Sequence, residues 1–214
     1  QPRTSAVNIQ TFADAFEDVL KEGKDVLYLG ISSGISTTIN SARIAAAELK
    51  EKYPERSVAI VDTLAASAGV ALMVYMAKNR KAEGAGIEEN AAYLASLTEN
   101  LKLKIDHWFT VDDLFHLKRG GRVSPTVAFV GGLLGVKPVL HMGEDGCLTK
   151  VTTARGRKKS LEALADQFGA LAENKATPIF ISHADSREDA ELLGDMLRER
   201  GAKEITLITE IGPV

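Results

Sequence analysis

Residues 25–38, DVLYLGISSGISTT, decide how this chain folds. The first six, Asp25–Gly30, form a short apolar run of the kind that parallel sheets bury as a strand. Five hydroxyl residues follow within Ser32–Thr38, and an apolar stripe at helical spacing then predicts a helix from Ser36 to about Glu51. The stretch therefore predicts a strand, a loop and a helix, with the loop at the carboxyl end of the strand.

This hydroxyl loop predicts an anion-binding site. Ligands bind at strand ends of open parallel sheets, where a helix N-terminus offers free N–H groups and the positive end of its dipole. Ser32, Ser33 and Thr38 add hydroxyl donors for phosphate or carboxylate oxygens, but the loop holds no cation, so the charge must come from elsewhere. The alternative is that Ser36 only caps the helix. Asp62, after a second apolar run, is either a functional acid or another helix cap.

The glycine spacing of the loop excludes two phosphate-binding motifs. Gly30 and Gly34 are too close for a Walker A loop and no lysine follows, and a dinucleotide fingerprint needs three glycines. The loop does share the Ser-Gly-x-Ser/Thr character of sugar isomerase-type domains, which hold a sugar phosphate in a comparable place. A sugar-phosphate-binding, isomerase-like domain that uses Ser32–Thr38 is therefore the alternative function.

The remaining pattern predicts an α/β protein of two domains, divided near residue 105. Residues 1–105 are expected to form a three-layer α/β/α domain with a parallel sheet, from helices at 9–22, 67–81 and 88–101 and a strand at 58–61. Residues 106–214 are expected to form a two-layer α/β domain with a mixed sheet. Its predicted strands are 107–111, 136–142, 147–153, 178–183 and 204–211, with a two-residue Asp145-Gly146 turn, and its predicted helices are 112–118, 126–134, 157–174 and 187–200.

Composition excludes several classes of partner. The net charge is −3 and the basic residues are scattered, so no basic stripe for nucleic acid is present. The longest apolar stretches are too short or too interrupted to insert stably in a membrane. The single Cys147 cannot form an internal disulfide, and the four separated histidines lack zinc spacing. We therefore expect a cytoplasmic protein without a metal; a start at Gln1 and an end just after a predicted strand suggest a fragment.

Two basic segments can meet an anion, and the first of them can supply the missing charge. Arg122 follows the Gly120-Gly121 pair, where its planar guanidinium can donate two parallel hydrogen bonds to the two oxygens of an acid. Residues 155–159, RGRKK, place cations at a predicted helix start, where they oppose the helix dipole and so favour an anionic partner. The alternative for both segments is a solvated surface turn or charge run.

The order of these motifs along the chain resembles that of the DegV family. The resemblance covers essentially the whole chain. The matching segments are residues 31–38, 40–42, 62–63, 109–114, 117–124, 136–140, 145–146 and 155–159. It implies a bacterial fatty-acid-binding protein of two α/β domains, with the acyl chain buried and its carboxylate at the domain interface. Such proteins are the lipid-presenting subunit of fatty acid kinase, in which a separate ATP-binding subunit phosphorylates the carboxylate to acyl phosphate for phospholipid synthesis.

The resemblance and the residues together predict the site. The residues expected to bind the carboxylate all carry a donor group: Ser32, Ser33, Thr38 and Arg122. Those expected to line the acyl tail are aliphatic: Leu133, Leu134, Val136, Leu140 and Ile181. Arg155 and Arg157 are expected to face the kinase subunit or the transferred phosphoryl group. We expect a bound long-chain fatty acid, no cofactor and no catalysis by this chain alone.

The sequence departs from the family pattern in three places. Ser36-Thr37-Thr38 stands where the family has Ser-Gly-Thr. Gln1-Pro2 resembles the end of a Thr-Ser-Gln-Pro motif, whose threonine, a usual carboxylate ligand, would precede residue 1. The family also continues beyond Gly212-Pro213 to a segment that contains a histidine. A trimmed paralogue without lipid function is therefore a third possibility.

Overall fold

The computed structural model describes residues 5–98, 105–112, 114–123 and 135–211 and confirms the α/β fold. These residues belong to two compact units. Unit 1 lies within Gln1–Ile105 and includes Glu144–Gly146, and unit 2 lies within Asp106–Gly143 and Cys147–Pro213. Over the described part of the chain, no helix is both long and apolar enough to cross a membrane.

Unit 1 is built around two parallel strands. Its elements are α1 (Ile9–Lys21), β1 (Val26–Gly30), α2 (Thr38–Lys52), β2 (Val58–Asp62), α3 (Ala68–Ala82) and α4 (Ile87–Ser96). Helix α1 begins as predicted after Asn8, whose carboxamide oxygen accepts the Thr11 N–H at 2.8 Å. Helix α4 is shorter than predicted and ends at Ser96. In the register of β1 and β2, Gly30 lies opposite Asp62, so both strands end at the same edge of the sheet.

The side chains of the two strands alternate between two cores, which gives unit 1 its three layers. Tyr28 and Ile60 pack with the α1 and α2 side chains, among them the buried Phe12 and Phe16. Leu29 and its neighbours Leu27 and Val61 face the other way and pack with the buried α3 and α4 residues Met73, Ala77 and Leu94. The predicted α/β/α arrangement is thus observed.

Unit 2 contains strands of both relative directions. Its elements are β3 (Trp108–Thr110), α5 (Phe115–Arg119), β4 (Val136–Met142), β5 (Leu148–Arg155), α6 (Arg157–Leu171), β6 (Phe180–His183), α7 (Arg187–Glu199) and β7 (Leu207–Glu210). Strands β3, β4 and β5 form an antiparallel sheet, and β6 pairs with β7 in parallel. The helix predicted at 126–134 lies outside the described residues.

The hairpin between β4 and β5 closes with a longer turn than predicted. The Gly143 N–H donates to the Cys147 carbonyl at 2.8 Å, which leaves the three residues Glu144–Gly146 in the turn. Gly146 adopts a φ of +72°, the left-handed conformation that ends the common three-residue hairpin loop. The two-residue turn predicted at Asp145-Gly146 is therefore wrong in length, although the hairpin itself is present.

Strand β4 separates two apolar clusters in unit 2. Val139 packs on one face with Leu161 and Ile181. Leu140 packs on the other face with Leu114 and Val123. Neighbouring residues of a strand point to opposite faces, so the two clusters lie on opposite sides of the antiparallel sheet.

Candidate ligand-binding site

The loops that follow β1 and β2 are joined by hydrogen bonds at the strand ends. The Thr63 hydroxyl donates to the Gly30 carbonyl at 2.7 Å, and Thr63 is almost fully buried. The Ser32 N–H donates to the Ala65 carbonyl at 2.9 Å. The hydroxyl loop is therefore fixed on one side by the loop after β2.

Ser32 is fully buried, and its hydroxyl forms hydrogen bonds with two backbone groups of the protein. Its Oγ donates to the Gly146 carbonyl at 2.7 Å and accepts the Gly34 N–H at 3.1 Å. The only proton of the hydroxyl is used in this way. Ser32 therefore fastens the hydroxyl loop to the turn Glu144–Gly146, a contact between residues 114 positions apart that no local pattern signals.

Two glycines allow the backbones of loop and turn to approach each other. A Cβ on Gly34 would lie 2.7 Å from the Asp145 carbonyl oxygen and 2.6 Å from the Gly146 carbonyl carbon. A Cβ on Gly146 would overlap the Ser32 hydroxyl and lie 2.9 Å from Leu64 Cδ2. A larger residue at Gly34 would clash with backbone atoms, and at Gly146 it would displace the Ser32 and Leu64 side chains and hold a left-handed φ of +72°.

Ser33 is exposed next to the contact between Ser32 and Gly146. Its N–H donates to Asp62 Oδ1 at 3.2 Å, and the Leu64 N–H donates to the same oxygen at 3.1 Å. Within the described part of the chain the Ser33 hydroxyl has no hydrogen-bond partner, so it can donate to a ligand. Asp62 organises both loops instead of capping α3, which begins after Ser67 without a side-chain cap. The acid after a strand was the sequence signal for this role.

The first turn of α2 uses Ser36 and Thr38 differently from the prediction. Thr37 is the N-cap residue and makes no capping hydrogen bond. Ser36 Oγ accepts the Thr38 N–H at 3.3 Å and donates to Thr38 Oγ1 at 3.0 Å. Thr38 Oγ1 accepts in that bond and keeps its own hydrogen, so Thr38 remains able to donate to a ligand.

The predicted cations of unit 2 differ in their surroundings. Arg122 is exposed just after α5, where its N–H donates to the Leu117 carbonyl at 3.0 Å and its Nη1 donates to the Gly120 carbonyl. Arg155 is exposed at the end of β5, opposite Val136. Across the residues that the structure describes, the Arg155 guanidinium forms no ion pair or hydrogen bond, so it is available to a partner.

Arg157 is engaged by acids of its own unit. Its guanidinium contacts Asp112, and its Nε lies 3.3 Å from Asp189 Oδ2. Lys137, which donates to Asp112 Oδ1 at 2.6 Å, and Arg157 together hold the pKa of the Asp112 carboxyl below its ordinary value. Arg157 is therefore held in ion pairs with its own unit, whereas the sequence predicted that it faces a partner. Of the two arginines predicted to face a partner, Arg155 is the one whose guanidinium is available.

Among the described residues, two of the predicted tail-lining side chains, Leu140 and Ile181, lie in different apolar clusters. Leu133 and Leu134 lie outside the described residues. Val136 is half-buried, and Leu140 and Ile181 belong to the clusters on opposite faces of the antiparallel sheet. One tail pocket cannot therefore be lined by both Leu140 and Ile181. In the described ranges there is also no group of three or more histidine, cysteine or acidic side chains able to hold a metal ion.

The family model that matches this sequence is that of the DegV family, over residues 1–214. The chain belongs to the DegV family. A DegV domain-containing protein from Clostridium perfringens is 46% identical over 214 residues, which are all of this chain and 72% of that protein. A curated fatty acid-binding protein from Thermotoga maritima is 33% identical over 216 residues, with 100% and 72% coverage.

Solved structures of DegV proteins share this architecture. A fatty-acid-binding DegV protein from Thermus thermophilus is 36% identical, with a TM-score of 0.83 over 98% of this chain and 72% of that one. The fatty acid kinase B3 protein of Streptococcus pneumoniae, loaded with linoleic acid, is 24% identical, with a TM-score of 0.84 over 96% of this chain and 69% of that one. The similarity to the Streptococcus protein shows only the fold. The Thermus protein shares the fold, is more similar in sequence and binds a fatty acid.

Proposed function

We propose that this DegV protein binds a long-chain fatty acid and presents its carboxylate to a separate ATP-binding kinase subunit, which converts it to acyl phosphate. The observation that carries the proposal is the exposed Ser33 hydroxyl at the strand ends, held by Asp62 and free to donate within the described structure. The 36% identical relative from Thermus thermophilus, which binds a fatty acid, supports the same ligand class.

The carboxylate accepts hydrogen bonds from Ser33 Oγ and, secondarily, from Thr38. Arg122 supplies a positive charge to the same group, since a guanidinium pairs with two carboxylate oxygens. Ser32 does not contact the ligand in this scheme, because its hydroxyl proton is already donated to Gly146. Ser32 instead holds Ser33 in position.

The acyl tail runs along the Leu140 face of the antiparallel sheet. Val123 is buried in that cluster and directly follows Arg122. The acyl chain of a fatty acid whose carboxylate binds Arg122 therefore begins next to apolar side chains. Ile181, on the opposite face, is then part of the protein core and not of the tail pocket. Burial of the tail contributes about 0.8 kcal/mol per CH₂, so a long chain binds even if the carboxylate contacts only offset its desolvation.

Phosphoryl transfer belongs to the kinase subunit in this proposal. Arg155 is exposed at the end of β5 and is suited to contact that subunit or the transferred phosphoryl group, whose charge develops in the transition state. This chain binds and orients the acid and supplies no nucleophile, since the carboxylate of the ligand itself attacks ATP.

A sugar phosphate fits the hydroxyl loop less well than a carboxylate. Phosphate sites at helix N-termini rely on several free backbone N–H groups. Here the N–H groups of Ser33 and Gly34 donate to Asp62 and Ser32, and those of Ile35 and Ser36 donate to the Ser32 carbonyl. The hydroxyl donors that remain match a monoanionic head group better than a phosphate.

The proposal is tested by fatty acid binding to a Ser33→Ala variant, measured by displacement of a fluorescent fatty acid. A hydrogen bond to a charged group contributes about 1.5–3 kcal/mol, so we expect Ser33→Ala to weaken palmitate binding about tenfold or more. The matched control is Thr37→Ala, which removes an exposed hydroxyl from the same loop that makes no capping bond. Equal palmitate affinity of Ser33→Ala and the wild type would contradict the role of Ser33.

A further inference from the structure

The Ser33 end of the site contains a negative charge that a fatty acid must overcome. Asp62 accepts the Ser33 N–H at 3.2 Å, so its carboxylate lies within a few ångströms of a ligand bound to the Ser33 hydroxyl. The side chain of Asp62 is only 17% exposed, which limits screening by water. Like charges at such separations repel each other, and an acid head group is therefore disfavoured unless a cation compensates.

Arg43 of α2 is placed to provide that cation. It lies five residues after Thr38, and helical side chains tilt toward the N-terminus, which directs Arg43 toward the strand ends. Its Nη2 is 3.9 Å from Asp62 Oδ2, and its Nη1 donates to Asn40 Oδ1 at 3.3 Å. The guanidinium is thus held beside Asp62 while 49% of the side chain stays exposed to an incoming ligand.

We propose that Arg43 determines the head-group specificity of this site, by neutralising Asp62 and attracting the carboxylate of the fatty acid. The inference rests on the proposed fatty acid function and extends it, because it gives unit 1 a cation of its own in addition to Arg122. The proposal also predicts which lipid the site prefers. The site selects an acid over a neutral lipid of the same chain length, such as a fatty alcohol, whose hydroxyl can accept a hydrogen bond from the guanidinium but gains no charge–charge attraction.

The test compares palmitate with hexadecan-1-ol in wild-type protein and in Arg43→Gln. A partly exposed charge contributes up to about 1 kcal/mol, so we expect palmitate affinity to fall about fivefold in the variant. Hexadecanol affinity should change much less, because the alcohol carries no charge and the glutamine amide still offers an N–H donor. Raising the salt concentration should weaken palmitate binding to the wild type more than to the variant, since salt screens the Arg43 charge.

Arg56→Gln is the matched control for Arg43→Gln. Arg56 is also a partly exposed arginine of unit 1, with its Nη1 3.9 Å from Asp25 Oδ1, before the start of β1. We expect Arg56→Gln to bind both lipids as the wild type does. Equal weakening of both lipids in Arg43→Gln, or no weakening of palmitate, would overturn the inference. Failure of the wild type to bind either lipid would instead contradict the proposed function on which it rests.

Discussion

Substitution of Gly146 by alanine should loosen the hydroxyl loop without touching the ligand. The new Cβ would overlap the Ser32 hydroxyl, and the residue must keep a φ of +72°. A left-handed alanine costs about 1–2 kcal/mol. Loss of the buried Ser32–Gly146 hydrogen bond costs about 1–3 kcal/mol more, because both groups lose their partner away from water. We therefore expect the free energy of unfolding to fall by about 2–5 kcal/mol.

Gly23→Ala separates the two causes of this loss. Gly23 has a φ of +73°, but a Cβ there would meet nothing within 4 Å, so only the backbone term applies. Urea unfolding should show Gly146→Ala to be destabilised more than Gly23→Ala, and fluorescent-lipid displacement should show weaker palmitate binding only in Gly146→Ala. If the two variants lose the same stability and both keep full palmitate affinity, then the turn does not hold the loop that presents Ser33.

Two further predictions concern the partner surface and the pH dependence. In Arg155→Ala, palmitate binding should persist while acyl phosphate formation with the kinase subunit falls. The control is Lys203→Ala, which removes an exposed cation of the same unit outside the 155–159 segment. Loss of palmitate binding in Arg155→Ala would refute the partner role. Burial lowers the pKa of His107 to about 4, below the value near 6.5 of the unfolded chain. The unfolded state thus binds more protons between these values, and stability should fall by about 2 kcal/mol from pH 7 to pH 5 through this group. Urea titrations at both pH values should show a smaller loss in His107→Phe, and an equal loss in the variant would exclude His107 as the cause.

Local patterns were sufficient for most of the fold. The apolar runs of β1 and β2 and the amphipathic stripe of α1 lie where the sequence predicted them, because side-chain periodicity is a local property. The hairpin turn was predicted one residue too short, since Asp-Gly also suits a three-residue loop that ends in a left-handed glycine. The end of α4 at Ser96 carried no clear stop signal in the sequence.

The candidate site was only partly predictable, because its contacts join distant residues. Ser33 was predicted from the hydroxyl loop, but the hydrogen bond that engages the Ser32 hydroxyl joins it to Gly146, 114 residues away. Arg157 was grouped with Arg155 by proximity in sequence, whereas its partners Asp112 and Asp189 come from other elements. Such pairings are set by tertiary packing, which single-sequence patterns do not record.

The identity of the ligand that purifies with the protein is the most direct test of fatty acid binding. Native mass spectrometry of the intact protein, followed by solvent extraction and mass analysis of the extract, measures it without any variant. We expect a mass increase that matches one long-chain fatty acid, and we expect the extract to contain that acid. A sugar phosphate in its place, or an empty protein that binds neither added palmitate nor added oleate, would rule out fatty acid binding as the function of this protein.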